Sequence, residues 1–489
     1  MTLSCVNPVT NELLATLPEA TDEEIESKVD VIRGGLEQWQ EMGLRERARA
    51  ITGARKHLVS RMDEMMDVVR SETGKTEFEG IIEIMTTSEM MRFVSRSGPS
   101  ALSRERRRIG LLRTKRGYVH YHPYGVAGII SPWNYPLILL AGPAVQALIV
   151  GNGVLLKPSE FTPLTALKLK EIFDESGFPG DIFQVVVGAG EVGEKVVRSP
   201  RVDLICFTGS VEVGRKIGVA CAEQLKPAIL ELGGKDSLIV LEDADIERAA
   251  RATVWGGFHN AGQTCISVER VYVEESVAEP FIGRVKELAQ EVRWGPGEAE
   301  TDLGAMTTGF QAEKVRSQLA DASEKGATFL VGGDSVKKLD GVYMGPVIAV
   351  DVDESMDLMR YETFGPVIAI STVRGAHEAL ERANSLDYGL NASIFTNDMR
   401  KARMMAGNIK AGNVCINDAL SNYLCAELPF GGVGVSGIGR LQGIEGIRGF
   451  AQIKSVCEDR LGLKKEPWWF PVSHGVKKSF RAVVKLRNG

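Results

Sequence analysis

The residue best suited to covalent chemistry in this 489-residue chain is Cys265, in the run His259-Asn-Ala-Gly262-Gln263-Thr264-Cys265. Small neighbours leave room for its sulfur to face a cavity, and a thiol becomes a useful nucleophile when its pKa is lowered. The competing reading is a free cysteine that simply packs, as most do. Glu231 stands 34 positions earlier, in Glu231-Leu-Gly-Gly-Lys235 at the end of the apolar run Ala228–Leu230. Apolar surroundings raise a carboxyl toward the range of a general base; a buried ion pair with a lysine is the structural alternative. Asn134 lies in the Pro-rich turn Ser131-Pro-Trp-Asn-Tyr-Pro136. Its amide can donate to a developing oxyanion or merely cap the turn. The six histidines show no H-E-x-x-H spacing, and His120 and His122 share a strand face without a third ligand, so no metal site is expected.

Three segments suit a nucleotide. Gly188-Ala-Gly190-Glu-Val-Gly193 matches G-x-G-x-x-G after a predicted strand, but no acidic strand end follows at the usual distance. Phe207-Thr-Gly209-Ser210-Val-Glu-Val-Gly214 reads as strand, tight turn and helix. Free N–H groups at that helix start suit a phosphate, and an ordinary βα turn capped by Ser210 explains it equally well. Lys157-Pro-Ser-Glu160 closes another strand. An acid there can accept from both ribose hydroxyls of an adenosine and would repel a 2′-phosphate; a solvated Lys/Glu pair is the plain alternative.

The elements that must position these residues are legible as patterns. Short apolar runs at Gly128–Ser131, Val154–Lys157, Phe183–Val187, Leu204–Phe207 and Ala228–Leu232 alternate with helical patterns at 136–150, 163–176, 190–199 and 211–224. This βαβα order predicts a doubly wound parallel sheet, the usual site of dinucleotide binding. A second alternating block runs from about 237 to 440. Residues 22–70 carry helical periodicity, with Thr21 and Glu24 as an expected capping box. Residues 125–156 carry no charge, but the 131–136 turn divides them into a buried strand and a buried helix rather than a membrane span.

Composition narrows the class. Apolar residues are 44%, charged 25%, and the net charge is −6, which argues for a globular chain and against nucleic acid as its partner. Seven scattered cysteines without a Cys-x-x-Cys pair suggest neither a disulfide framework nor zinc, and fit a reducing compartment. The first twenty residues lack the basic and apolar regions of a secretory signal, so a cytoplasmic protein is expected.

Taken together the motifs resemble the aldehyde dehydrogenase superfamily from about residue 5 to 457. They are SPWNYP at 131–136, LLKPSE at 155–160, FTGSVEVG at 207–214, ELGGK at 231–235, GQTC at 262–265, ETFGPV at 362–367, YGLNASIFT at 388–396 and PFGGVGVSGIGR at 429–440. The resemblance implies an α/β fold. Its Rossmann-like NAD-binding domain spans 1–107 and 124–233, and its catalytic domain 234–440. A small β oligomerisation element spans 108–123 and 441–460, and a basic Trp-containing tail covers 461–489. It implies NAD-dependent oxidation of an aldehyde to the acid, with NADP as a second option, in a homodimer or homotetramer. Cys265 would be the nucleophile and Glu231 the base for the hydrolytic water. Asn134 and the Cys265 N–H would form the oxyanion hole. Trp133, Lys157, Ser159, Glu160, Gly209, Ser210, Val213, Leu232, Glu362 and Phe364 would hold the cofactor.

Glu231 argues against the CoA-acylating branch, which lacks that base. The pattern TKRGYVHYHPYGVAGIISPWNYP followed by GQTCISVERVYV is similar to a bacterial branch acting on long apolar and carotenoid-type aldehydes. Succinate semialdehyde is the alternative substrate, and a non-catalytic crystallin-like protein the alternative class. Two features depart from the family pattern. Many relatives carry a glutamate where Leu441 follows Arg440 here, and Glu445 has the wrong spacing. The proton route from Glu231 is then left to Lys235 as a candidate catalytic member. From 460 onward, eight basic residues face the single acid Glu466, beside Pro467-Trp-Trp-Phe-Pro471 and an amphipathic segment. That tail reads as a weak membrane-surface contact, as an oligomer contact, or as a solvated tail packing its tryptophans on the body.

Overall fold

A computed structural model describes residues 2–295, 301–332 and 343–488. It divides into two compact units, one of residues 1–102 and 122–452, the other of residues 103–121 and 453–489.

The large unit contains two main sheets. The first has the strand order Gly437–Ile438, Ala228–Leu232, Leu204–Gly209, Val126–Ile130, Gly153–Lys157, Phe183–Val185. All neighbours are parallel except the short first strand. Chain order reverses between Val126–Ile130 and Leu204–Gly209, and ligands bind at the carboxyl ends of strands beside such a switch point. The strands Val126–Ile130 and Gly153–Lys157 are buried along their whole length. That burial explains why they read as continuous apolar runs rather than alternating ones.

The second sheet has the order Thr328–Val331, Val347–Val350, Val367–Val373, Val268–Glu274, Asp236–Val240, Asn391–Phe395, Asn413–Ile416. It is parallel except at its first pair. The strands and helices expected around both sheets form, within a few residues of their expected ends. Three strands escaped the pattern, among them the two-residue Gly437–Ile438. Asp236–Val240 begins only four residues after Ala228–Leu232, so the two read as one interrupted run. Thr328–Val331 is only half-buried and lacks a clear apolar signal.

The periodicity of 22–70 resolves into three helices, Asp22–Glu41, Gly43–Ser60 and Met62–Thr73. At the first, Thr21 accepts from the Glu24 N–H, which is one half of the expected box. The complete capping box forms at Thr76 and Glu79, where Glu77–Ala101 begins. No helix among the described residues is long and apolar enough to cross a membrane.

Asn152 fixes the entry to the central strand. Its Oδ1 accepts from the N–H groups of Tyr124 at 2.7 Å and Gly125 at 3.1 Å, and its Nδ2 donates to the carbonyls of Ala147 and Phe450. The residue is buried, so removing the amide leaves several backbone groups unmatched without water. Asn152→Ala is expected to lower stability by about 2–4 kcal/mol, read as a shifted urea midpoint; an unchanged midpoint would contradict this role.

Candidate functional site

The residues singled out by type converge at the carboxyl ends of the first sheet. After Val126–Ile130 comes the turn with Trp133 and Asn134. After Gly153–Lys157 come Ser159 and Glu160, after Leu204 to Gly209 comes Ser210, and Glu231 and Leu232 end their own strand. A cavity of about 300 Å³ is lined by Trp133, Asn134, Glu231, Leu232, Cys265 and Glu362, with Gly209, Ser210 and Phe364 also at its wall.

Cys265 is delivered by a turn with three successive left-handed residues, Asn260, Ala261 and Gly262, at φ +55°, +54° and +68°. Such backbone is costly for Asn and Ala and persists only when its surroundings hold it. Here the Asn260 N–H donates to the buried Glu79, and the Asn260 side chain donates to the carbonyls of Asn134 and Gln263. Gln263 is fully buried; its Nε2 donates to Asn260 and Ala305 carbonyls, and its Oε1 accepts from the Thr307 N–H. Cys265 itself is half-buried. Burial, then the nearby carboxylates of Glu231, Asp236 and Glu362, push its thiol well above the ordinary value.

Asn134 is buried, and its Nδ2 donates to the Gln263 carbonyl at 2.9 Å. An amide nitrogen carries two N–H groups, so one remains for an oxygen in the cavity. Glu231 is buried with Oε1 unpartnered. Burial raises its carboxyl well above the usual range, opposed by the charge of Arg440. Phe430 and Leu441, which exchange backbone hydrogen bonds at 2.7 and 2.8 Å, line the same cavity, as does Tyr423. Leu441 thus presents an apolar wall where a second acid was absent from the sequence, and Glu445 is exposed.

Lys235 does not serve Glu231. Its ammonium donates to Glu269 at 2.5 Å and to Thr363 Oγ1 at 2.9 Å, fully buried. In this geometry Lys235 braces Glu269 and Thr363. Glu269 also accepts from the N–H groups of Thr363 and Phe364 at 2.9–3.0 Å. The carboxylate therefore grips the loop carrying Glu362. Glu362 accepts from the Gly234 N–H at 3.2 Å, and burial beside Glu269 pushes its carboxyl up to about 7.

A second cavity, about 550 Å³, lies against Lys157, Ser159, Glu160, Gly209 and Val213. Lys157 Nζ stands 3.6 Å from Glu160 Oε2, and burial lowers the lysine's pKa. Gly190 and Gly193 of the G-x-G-x-x-G segment border this cavity, so that motif touches the same space although it is not the principal turn. Val197, Ile217 and Ala220 make one wall apolar. Trp133 stands edge-on to Phe364, with ring centres 5.5 Å apart, and to Phe310 at 6.5 Å. A third, apolar pocket of about 70 Å³ reaches Cys265 between Ile138, Leu139, Trp255, Ile266, Leu420 and Leu424. Glu83 at its edge is paired with Lys75 and accepts from the N–H groups of Leu137 and Ile138. Burial and Lys75 push His259, also at this wall, down to about 4, so it is neutral.

Sequence reasoning missed Phe310, Gln311, Lys314 and Tyr423 at the first cavity and Glu269 behind it. Phe310 and Lys314 sit four apart on the helix Gly309–Glu324, whose pattern signals only an amphipathic helix. Among the described residues no cluster fit for a metal occurs.

Comparison with known proteins agrees with this geometry. The aldehyde dehydrogenase family matches residues 1–456. A 4,4′-diapolycopene aldehyde oxidase from a Methylomonas species is 34% identical, covering 100% of this chain and 92% of its own. A putative succinate-semialdehyde dehydrogenase [NADP(+)] from Mycolicibacterium smegmatis is 34% identical over 98% of this chain and 93% of its own. The crystal structure of an NAD-dependent aldehyde dehydrogenase from Sinorhizobium meliloti superposes with a TM-score of 0.91 at 33% identity, over 96% of this chain and 93% of that one. With the family's match running through every loop that lines the Cys265 cavity, this chain belongs to the aldehyde dehydrogenase family of oxidoreductases.

Proposed function

We propose that this enzyme oxidises an apolar, long-chain aldehyde to its carboxylic acid with NAD, Cys265 acting as nucleophile and Glu231 as base. The observation that carries the reading is the pairing of cavities around Cys265. One side holds Glu231, Asn134 and Glu362, and the other is apolar and has no Lys or Arg at its wall. An anionic aldehyde such as succinate semialdehyde needs a cation there. The diapolycopene aldehyde oxidase, named for an apolar substrate, supports the same choice.

The second cavity fits a dinucleotide. Its apolar wall suits an adenine ring, Glu160 and Lys157 suit ribose hydroxyls, and the N–H groups at the helix start after Ser210 suit a pyrophosphate. The NAD-dependent relative supports this assignment. Ser159 and Val213 border the adenosine end, while Trp133, Leu232, Glu362 and Phe364 stand at the nicotinamide end. When bound, the cofactor supplies the two-electron acceptor for the aldehyde carbon. The chain's own steps are then few. The Cys265 sulfur adds to the carbonyl carbon, and the resulting oxyanion is held by the free Asn134 N–H and the Cys265 backbone N–H, each worth on the order of 3 kcal/mol. After oxidation to the thioester, Glu231 takes a proton from water, water adds, and Cys265 leaves as thiolate. The exposed edge strand Ala451–Asp459, together with 108–123, suits pairing with a second copy in a homodimer or homotetramer.

Three outcomes test the proposal. Wild type should form NADH with long aliphatic or apocarotenoid aldehydes at least about tenfold more efficiently than with succinate semialdehyde, and Cys265→Ala should form none; the reverse ranking would reject the apolar assignment. Burial holds both the Glu231 carboxyl and the Cys265 thiol up, and both act in their ionised forms, so kcat should climb with pH from neutral into the alkaline range. Glu231→Gln should cost roughly 10²–10⁴ in steady-state turnover, while a wild-type rate already flat from mildly acidic pH would contradict the buried base. Glu160 should favour NAD over NADP, and Glu160→Gln should narrow that ratio; equal kcat/KM with both cofactors in wild type would remove its role.

A further inference from the structure

The smaller unit is built around a three-stranded sheet ordered Ala451–Asp459, Lys115–Pro123, Glu105–Arg107, with the last two strands antiparallel. Its chain ends in the helix His474–Asn488. Residues 460–489 contain eight Lys or Arg and one acid, Glu466. That acid is buried and bonded to Lys115, so it neutralises nothing on the helix.

The helix has two faces. At about 100° per residue, Val476, Phe480, Val483 and Val484 share one side, with Leu486 at its margin. Lys477, Lys478, Arg481 and Lys485 occupy the other, and Arg487 falls on the apolar side in the last turn. Phe480 is 52% exposed, Val484 59% and Leu486 85%. Just upstream, Trp469 is 52% and Phe470 92% exposed. No ion pair engages the four helix cations among the described residues. The unit thus leaves an apolar face uncovered beside a row of uncompensated cations.

A covering partner must supply apolar depth and negative charge together. A second copy of the helix, packed about a two-fold axis, would bring each cationic flank beside its own image. An anionic bilayer supplies both requirements. Phosphates meet the Lys and Arg flank, the acyl boundary receives the Phe and Val face, and tryptophan prefers the headgroup level.

We propose that residues 468–488 form a membrane-surface element that lies in the plane of an anionic phospholipid bilayer, with Phe480 and Val483 facing the acyl chains. The element does not depend on the oxidation chemistry, but it would hold the enzyme at the phase in which long apolar aldehydes dissolve.

Sedimentation of the full-length protein with sucrose-loaded vesicles tests this directly. The protein should pellet with phosphatidylglycerol–phosphatidylcholine vesicles and stay in solution with phosphatidylcholine alone. Raised salt should weaken the binding, because it screens the cations. Phe480→Glu/Val483→Glu and, separately, Lys477→Glu/Arg481→Glu should each lower the partition coefficient by about tenfold or more, with turnover of a soluble aldehyde unchanged. Tryptophan emission should shift to the blue on anionic vesicles, and Trp468→Phe/Trp469→Phe should abolish the shift. Failure of wild type to pellet with anionic vesicles would overturn the proposal, as would pelleting of both the charge and the apolar variant to the same extent as wild type. If Phe480→Glu/Val483→Glu instead splits an oligomer in light scattering while wild type ignores vesicles, the face belongs to a second copy.

Discussion

The site exists because loops from two sheets pass closer to one another than any side chain allows. A Cβ on Gly262 would lie 2.0 Å from the Gly365 carbonyl oxygen, and one on Gly234 would lie 2.6 Å from that of Cys265. A Cβ on Gly233 would meet Glu362 Oε2 at 2.6 Å, and one on Gly431 would meet Glu231 Oε1 at 2.7 Å. Each contact joins a loop that carries a reacting or binding group to another loop that does the same. A methyl group at Gly262 or Gly234 would push backbone apart, one at Gly233 or Gly431 would displace the Glu362 or Glu231 carboxylate, and a displacement of about an ångström at a catalytic group can cost 10²-fold in rate. The glycines in ELGGK, GQTC, ETFGPV and PFGG are therefore spacers set to zero. That common requirement is why these motifs occur in one chain.

Close passage alone does not fix orientation, and the Glu269 carboxylate supplies that. It takes three donors, Lys235 Nζ and the N–H groups of Thr363 and Phe364. Phe364 holds φ +57°, a left-handed conformation unusual for an aromatic residue. Gln311 holds the other side of the same loop, its Nε2 donating to the carbonyls of Thr363 and Phe364. A buried ion pair adds little net stability, because desolvation offsets its attraction. Its value here is geometric: Lys235 is fastened to the loop that presents Glu362, with Gly233 and Gly234 immediately before it.

Much of this was legible in the residues. Apolar runs alternating with helical periods fixed the parallel sheets, since burial on both faces makes such strands continuous and apolar. Cys265, Glu231 and Asn134 were legible as candidates through the motifs that resemble the family, and all three line one cavity. The partners of Lys235 were not legible, because proximity in sequence to Glu231 says nothing of direction. Residues i and i+4 across a Gly-Gly turn need not share a side, and Lys235 Nζ points to the second sheet's loop. Glu269 stayed hidden for a related reason. It sits in an otherwise apolar strand, Val268–Glu274, where an acid gives no sign of the backbone N–H groups that will satisfy it. Phe310 and Lys314 could not be assigned at all, since an exposed helix face reads alike whether it borders a cavity or water.

The electrostatics of the cavity order the proposed reaction. Glu231 and Cys265 are each pushed toward their neutral forms by burial, and the Glu231 carboxylate raises the thiol further. Tyr423, Phe430 and Leu441 keep that neighbourhood apolar, and no second carboxylate at position 441 shares the load. A thiolate and a carboxylate facing one another in low dielectric repel strongly, so the pocket favours one negative charge at a time. While sulfur carries it, the proposed role leaves Glu231 protonated and unable to take a proton from water. Once the charge has moved from sulfur through the oxyanion and the thioester has formed, the reason for Glu231 to stay protonated is removed. The carboxylate then ionises and activates water. In the proposed reaction, repulsion between these two acids at one cavity would keep the acylating and hydrolytic half-reactions apart.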